Sequence, residues 1–202
     1  MGLTLNTNSL NLVSSGDSSS AASGISTSDV TTLIKSNTPW QYITKLTADA
    51  SSYLEYTSIP STFYTIRIMY DGLQFSQNTA VRLRLYLDGS LAASYLYRFA
   101  GRVSNGSTTS NLYTTNTYWG IAHSHEAGGS RHFMGFTDIG GNTTASQKQM
   151  FSRVGSVNST VPLNYDLSGH YDSGSTQLIT GFRLYPASGT FSKGSIKIYG
   201  MN

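Results

Sequence analysis

The sequence predicts an all-β protein, an antiparallel β-sandwich that carries an extended N-terminal arm and one short helix. From Trp40 onward, short segments of alternating apolar and polar residues recur with Gly, Asn, Asp or Ser between them, a pattern typical of sandwiches and barrels. Charged residues make up only 11% of the chain, and 14 tyrosines are present. Ser, Thr, Asn and Gly replace the charges, which favours strands over helices.

Residues 1–38 differ from the rest and predict a segment for attachment or assembly. They contain no aromatic residue, and the stretch Ser14–Gly24 has the composition of a flexible linker. The residues Ser26–Asp29 form a capping pattern for a short helix that runs to about Lys35, before Pro39. Two sets of apolar residues would need a further protein surface to cover them. They are Leu3, Leu5, Leu10 and Leu12 of a strand-like arm, and Val30, Leu33 and Ile34 of the helix.

Residues 39–202 are predicted to form the sandwich body as one domain. The clearest strand is Val81–Leu87, where four apolar residues alternate with Arg82, Arg84 and Tyr86 before an Asp-Gly turn. The other predicted strands are Tyr42–Thr47, Tyr53–Thr57, Thr65–Tyr70, Ser94–Ala100, Tyr118–His123, His132–Thr137, Met150–Val154, Ser168–Asp172, Ile179–Tyr185 and Gly194–Tyr199. An alternative interpretation places a second helix near Ala145–Phe151.

The two C-terminal strands are separated by residues that reverse a chain. Pro186 to Thr190 supply proline and glycine turn geometries between Ile179–Tyr185 and Gly194–Tyr199. This arrangement predicts a hairpin. A strand so close to the C-terminus is ordered only when a sheet holds it, so we expect these residues to belong to the core.

Composition excludes several kinds of function. The chain has no cysteine, which removes disulfides, thiolate metal sites and cysteine nucleophiles. The net charge is +3 and the basic residues are scattered, so no nucleic-acid partner is expected. No segment has the length of a membrane helix, and the N-terminus lacks the pattern of a secretory signal. We expect neither membrane insertion nor a cofactor.

Two parts of the body resemble a recurring module of tailed-bacteriophage virion surface proteins. Trp40–Phe75, WQYITKLTADASSYLEYTSIPSTFYTIRIMYDGLQF, is similar to the opening strands of that module. Ile179–Asn202, ITGFRLYPASGTFSKGSIKIYGMN, is similar to its ending, a G-x-F-x-x-G-x-I-x-I-Y-G pattern. The resemblance implies a jelly-roll-like sandwich, assembly as a homotrimer, and a place on the virion exterior after assembly in the host cytoplasm.

The resemblance implies a non-enzymatic structural protein, attached through its N-terminal arm, that serves as capsid decoration or head fibre. The alternative is a tail-fibre or baseplate receptor-binding protein that recognises host surface glycan. A glycan-degrading tail enzyme is a remote third interpretation. It would need a pair of carboxylates, and Asp166 and Asp172 are explained more simply as turn residues.

The region between Ser104 and Ser168 matches no known pattern, and its aromatic residues are candidates for contacts with a glycan or protein partner. Aromatic side chains stack on sugar rings and anchor protein interfaces, although tyrosine is also common in ordinary strands. The candidates, which lie in or beside this region, are Tyr113, Tyr118, Trp119, Tyr165 and Tyr171.

Two further groups carry weaker hypotheses. His123, His125 and His132 could bind a metal, but we favour a polar hairpin in which His132 pairs with Glu126 or stacks on a tyrosine, and no metal site is predicted.

Arginines could line one sheet face and contact an acidic partner, although a solvated face is the favoured account. They are Arg67, Arg82, Arg84, Arg98 and Arg102.

Overall fold

The computed structural model describes residues 2–6, 9–13, 39–93, 95–103, 108–128, 131–142, 147–158, 161–171 and 177–202. Side chains are described for residues 39–93, 117–122, 124–128, 131–142, 147–157, 162–171 and 177–202. The chain divides into two compact units, Met1–Gln41 and Tyr42–Asn202. The predicted helix, with Val30, Leu33 and Ile34, lies outside the described residues.

The N-terminal arm is a two-stranded antiparallel hairpin of β1 (Gly2–Asn6) and β2 (Ser9–Val13). The register pairs Leu3 with Leu12 and Leu5 with Leu10. Directly paired residues lie on one face of an antiparallel ladder, so the four leucine positions share a face. A hairpin of two strands is marginally stable by itself in water.

The second unit is an antiparallel β-sandwich of two packed sheets. The large sheet has eight strands in the order β3 (Gln41–Thr47), β15 (Phe191–Met201), β5 (Thr65–Phe75), β11 (Phe133–Gly140), β12 (Gln149–Asn158), β13 (Val161–Tyr171), β8 (Tyr95–Val103) and β9 (Thr108–Asn116). The small sheet has the order β10 (Trp119–His125), β6 (Thr79–Leu87), β14 (Ile179–Pro186) and β4 (Leu54–Tyr56), and β7 (Ser90–Leu91) also pairs with β6. The predicted all-β sandwich is confirmed.

The core lies between the two sheets and follows the period-two pattern of the strands. Ile66 and Ile68 of β5 face it from the large sheet, and Leu83 and Leu85 of β6 face it from the small sheet. All four side chains are fully buried. The described residues contain no helix, and none of them forms a segment with the length and hydropathy of a helical membrane span.

The predicted C-terminal hairpin is wrong, because its two strands belong to different sheets. β14 pairs with β6 and β4 in the small sheet, whereas β15 lies between β3 and β5 in the large sheet. The residues from Pro186 to Thr190 therefore carry the chain across the edge of the sandwich. The amide of Ala187 donates to the Ala80 carbonyl at 2.8 Å, and the Thr190 amide donates to Ser76 Oγ at 2.9 Å. The crossing is thus held against the neighbouring crossing from β5 to β6, which runs in the opposite direction.

Two other local predictions need correction. Residues from Gln149 onward form β12, so the alternative helix over Ala145–Phe151 is wrong in its described part. β9 was not predicted, because its sequence TTSNLYTTN has too few apolar residues to show a buried face. It lies at the edge of the large sheet, where a strand needs fewer core contacts.

Candidate functional site

Three of the five predicted contact aromatics are part of the core, which corrects their proposed role at the surface. Trp119 is fully buried and donates its indole N–H to the His170 carbonyl at 3.3 Å. Tyr165 and Tyr171 are also buried, since both point inward from β13. Tyr118 is partly exposed, and the side chain of Tyr113 lies outside the described residues.

His125 is a core residue and not a surface ligand. Its Nδ1 lies 2.9 Å from Ser156 Oγ, and its ring centroid lies 4.9 Å from that of Phe75 and 5.8 Å from that of Phe133. Burial lowers the pKa of His125 to about 4, although the backbone of Arg131 opposes the shift. The ring is therefore neutral near pH 7, in a pocket of aromatic side chains.

The remaining members of the histidine group do not assemble around His125 in the described part of the chain. His132 is exposed, and Glu126 forms its ion pair with Arg131 at 2.7 Å, so the expected pairing of His132 with Glu126 is wrong. Among the described residues no three His, Asp or Glu side chains come together as metal ligands. The side chain of His123 lies outside those residues.

The outer surface of the large sheet carries an apolar strip. We call it the large-sheet face and define it by Met69 of β5, Met134 and Phe136 of β11, and Phe151 of β12. Register places Met69 beside Phe136, and the rings of Phe136 and Phe151 are 6.2 Å apart. Met69 is 41% exposed, Met134 52% and Phe151 44%. Large side chains of this kind rarely form an exposed strip on a monomer.

Ion pairs border the large-sheet face and satisfy its charges. Arg67 donates two hydrogen bonds of 2.6 Å to Asp138, and its guanidinium lies 4.5 Å from the centre of the Phe136 ring. Two more pairs are Arg153 with Asp166 at 2.7 Å and Lys197 with Asp71 at 2.8 Å. Asp166 is therefore engaged in a surface ion pair, and Asp172 lies outside the described residues.

The outer surface of the small sheet is different, and we call it the arginine–tyrosine face. Its members are Arg82, Arg84 and Tyr86 of β6, Arg183 and Tyr185 of β14, and the flanking residues Tyr53, Glu55 and Tyr118. The predicted stripe is thus divided, because Arg67 belongs to the other sheet and the side chains of Arg98 and Arg102 lie outside the described residues. Sequence reasoning missed Arg183 and Tyr185, although they occupy the polar positions in the alternating pattern of β14.

Most polar groups of the arginine–tyrosine face are bound within it. Arg183 donates to Glu55 at 2.8 Å and to the Tyr86 hydroxyl at 2.8 Å, and Tyr86 donates to the same carboxylate. Burial alone would raise the pKa of Glu55, but hydrogen bonds from Tyr86 and Arg183 hold it below its ordinary value. Arg84 donates to the Ala92 carbonyl at 2.9 Å, which fixes the chain after β7.

Comparison with models of protein families, with curated proteins and with solved structures gave no match to this chain. The two sheet faces are therefore interpreted from their own chemistry.

Proposed function

We propose that this chain is a non-enzymatic structural protein of a phage virion, displayed on the particle surface as capsid decoration or head fibre. The resemblance of residues 40–75 and 179–202 to virion surface modules supports the setting. The observation that carries the proposal is the large-sheet face, because an apolar strip within a satisfied polar border has the composition of a protein–protein interface. Aromatic residues, Met and Arg are the types that such interfaces favour.

The energetics of the large-sheet face support assembly through it. Three side chains that are 41–52% exposed, together with the partly exposed Phe136, would contribute about 2–5 kcal/mol per subunit when covered. The Arg67–Asp138 pair needs no new partner when water is removed, since its two carboxylate oxygens are already bonded. We propose that copies of the chain pack through this face as a homotrimer.

The arm supports attachment to a further virion protein. Leu3, Leu5, Leu10 and Leu12 share one face of the β1–β2 hairpin, which is too small to bury that face internally. A groove or sheet edge on a capsid subunit would complete it. The arm therefore serves as the anchor in this proposal.

Localisation on intact particles tests the virion setting. Particles encoded by the genome that carries this gene would be purified, labelled with antibody against the sandwich, and imaged by cryo-electron microscopy. Density or label distributed over the head supports capsid decoration. Label confined to the tail or baseplate would replace it with the receptor-binding alternative, and absence from purified particles would overturn the virion proposal.

Light scattering of the purified full chain tests assembly through the large-sheet face. The variant M134K/F151K places two charges in the strip and should convert a trimer to a monomer with an unchanged circular dichroism spectrum. Tyr64→Lys is the matched control, since Tyr64 is also exposed but lies outside the strip. A monomeric wild type, or a double variant that remains trimeric, would exclude this face as the subunit contact.

The alternative, a tail-fibre or baseplate receptor-binding protein that recognises host glycan, is favoured by one observation. The arginine–tyrosine face combines positive charge with flat aromatic rings, which suits a sugar ligand better than a protein core contact.

A further inference from the structure

The arginine–tyrosine face contains cations that have no carboxylate partner, in contrast to the large-sheet face. Arg67, Arg153 and Lys197 each have a carboxylate oxygen within 2.6–2.8 Å. Among the described residues, Arg82 Nε has no hydrogen-bond acceptor, and Arg84 bonds only to backbone carbonyls. The same chain that neutralises one face thus leaves the other positively charged.

Strand register concentrates this charge instead of dispersing it. Arg84 of β6 lies directly opposite Arg183 of β14, an arrangement that destabilises a sheet when both residues carry the same charge. Glu55 is the carboxylate that compensates Arg183. Three guanidinium groups against one carboxylate leave an excess of two positive charges, which an anionic ligand would relieve.

The surroundings of Arg82 combine an aromatic ring with a flank that carries no side chain. Its guanidinium lies 4.2 Å from the centre of the Tyr118 ring. On the β14 side its paired residue is Tyr185, and on the β10 side its paired residue is Gly120. The paired glycine places no side chain beside Arg82 on the β10 side. Arg82 Nε is buried and has no hydrogen-bond acceptor, whereas the residue as a whole is partly exposed.

Tyr185 adds a hydrogen-bonding group between the two arginines. Burial raises the pKa of its hydroxyl, while the charges of Arg82 and Arg84 act in the opposite direction. The hydroxyl therefore stays protonated at neutral pH and lies in the field of both guanidinium groups. It could donate a hydrogen bond to the same anionic group that the arginines attract.

We infer that Arg82, Arg84 and Tyr185 form a binding site for an acidic polysaccharide, in which the carboxylate of a uronic acid lies between the two arginines. A guanidinium fork matches a planar carboxylate with two parallel hydrogen bonds. The rings of Tyr118 and Tyr185 provide flat apolar surfaces for the sugar ring. An excess of two positive charges matches the carboxylates of one or two uronic acid residues, and it is too small for nucleic acid, which requires a broad basic surface.

The inference rests on the receptor-binding alternative only for its biological setting, and it can be tested on the isolated full chain. The probe is a fluorescein-labelled oligogalacturonate, measured by fluorescence anisotropy at several salt concentrations. The wild type should bind it, and unlabelled maltoheptaose, a neutral oligosaccharide, should not compete. Arg82→Gln should weaken binding at least about tenfold, the effect of removing one charge-assisted hydrogen-bonding group.

Two controls keep the result interpretable. Lys193→Gln removes the same charge from an exposed position on β15 and should leave binding unchanged. Thermal unfolding of each variant checks that the sandwich is intact, and Tyr185→Phe tests the hydroxyl with little change in shape.

Three results would overturn the inference. They are equal affinity of wild type and Arg82→Gln, competition by the neutral oligosaccharide, and binding of a ribitol-phosphate polymer without binding of oligogalacturonate. Absence of oligogalacturonate binding by the wild type would also overturn the inference. It would leave the virion proposal intact, because that proposal is decided by localisation on particles.

Discussion

Acidification from pH 7.5 to pH 4.5 is expected to lower the free energy of unfolding by about 2–3 kcal/mol, because it protonates His125 in the unfolded chain while the folded chain keeps the ring largely neutral. Burial lowers the pKa of this group from 6.5 to about 4. Between these values the unfolded chain holds a proton that the folded chain lacks, so stability rises with pH. The contribution of neutral His125 is complete above pH 6.5 and is lost as the pH falls towards 4.

The magnitude follows from the size of the shift. A difference of one pKa unit corresponds to about 1.4 kcal/mol, so the full shift represents roughly 3 kcal/mol, most of which is already lost at pH 4.5. This is a large fraction of the 5–15 kcal/mol typical of a domain. Urea unfolding followed by tryptophan fluorescence at pH 4.5, 5.5, 6.5 and 7.5 measures it directly.

The variant His125→Phe isolates the contribution of the imidazole. Phenylalanine suits the pocket formed by Phe75 and Phe133, and Ser156 keeps its hydrogen bond of 2.9 Å to the Ser124 carbonyl. The variant should stay folded and lose most of the dependence on pH. His132→Gln, at an exposed position, should retain it. An undiminished slope in His125→Phe would refute the assignment to this group.

Two further substitutions test the loop contacts and strand packing. Asn142→Ala should lower the free energy of unfolding by about 2–5 kcal/mol, because the buried Asn142 side chain donates to the Phe63 carbonyl at 3.0 Å and accepts from the Ile179 amide at 2.7 Å. Urea unfolding measures this loss. A loss below about 1 kcal/mol, the contribution of roughly one hydrogen bond, would contradict the account. Gly181→Ala should destabilise strongly, because its Cβ would lie 2.3 Å from the carbonyl oxygen of Tyr56, the last residue of β4. Gly155→Ala, whose Cβ would have its nearest neighbours at 3.9 Å, should shift the thermal midpoint little. Equal shifts would show that backbone contact does not decide the cost.

The sequence was sufficient to predict strands wherever alternation is strong and one face is buried. The pattern of Val81–Leu87 corresponds to most of β6, and the C-terminal strand is ordered within a sheet as expected. Alternation does not say which sheet a strand joins, because both sheets direct apolar residues at one core. A hairpin and a crossing between sheets therefore give the same pattern from Ile179 to Tyr199.

The functional surfaces were harder to predict for a related reason. Trp119 and Tyr165 have the residue types of a binding site, but their positions in the strand period place them inside. The arginine–tyrosine face joins β6 and β14, which are distant in sequence and become neighbours through the crossing connections. Arg82 was identified as a candidate, whereas its pairing with Tyr185 required the three-dimensional register.

The position of β15 has a consequence for how the protein is made. β15 lies between β3 and β5 in the large sheet, although it comes after all fourteen of the other described strands along the chain. During translation β3 has no hydrogen-bonded neighbour, and one edge of β5 stays open until the final strand leaves the ribosome. Such open edges are sites of misassembly between nascent chains. The complete large sheet therefore forms only after synthesis of β15, and nascent chains on one messenger expose these edges to each other until then.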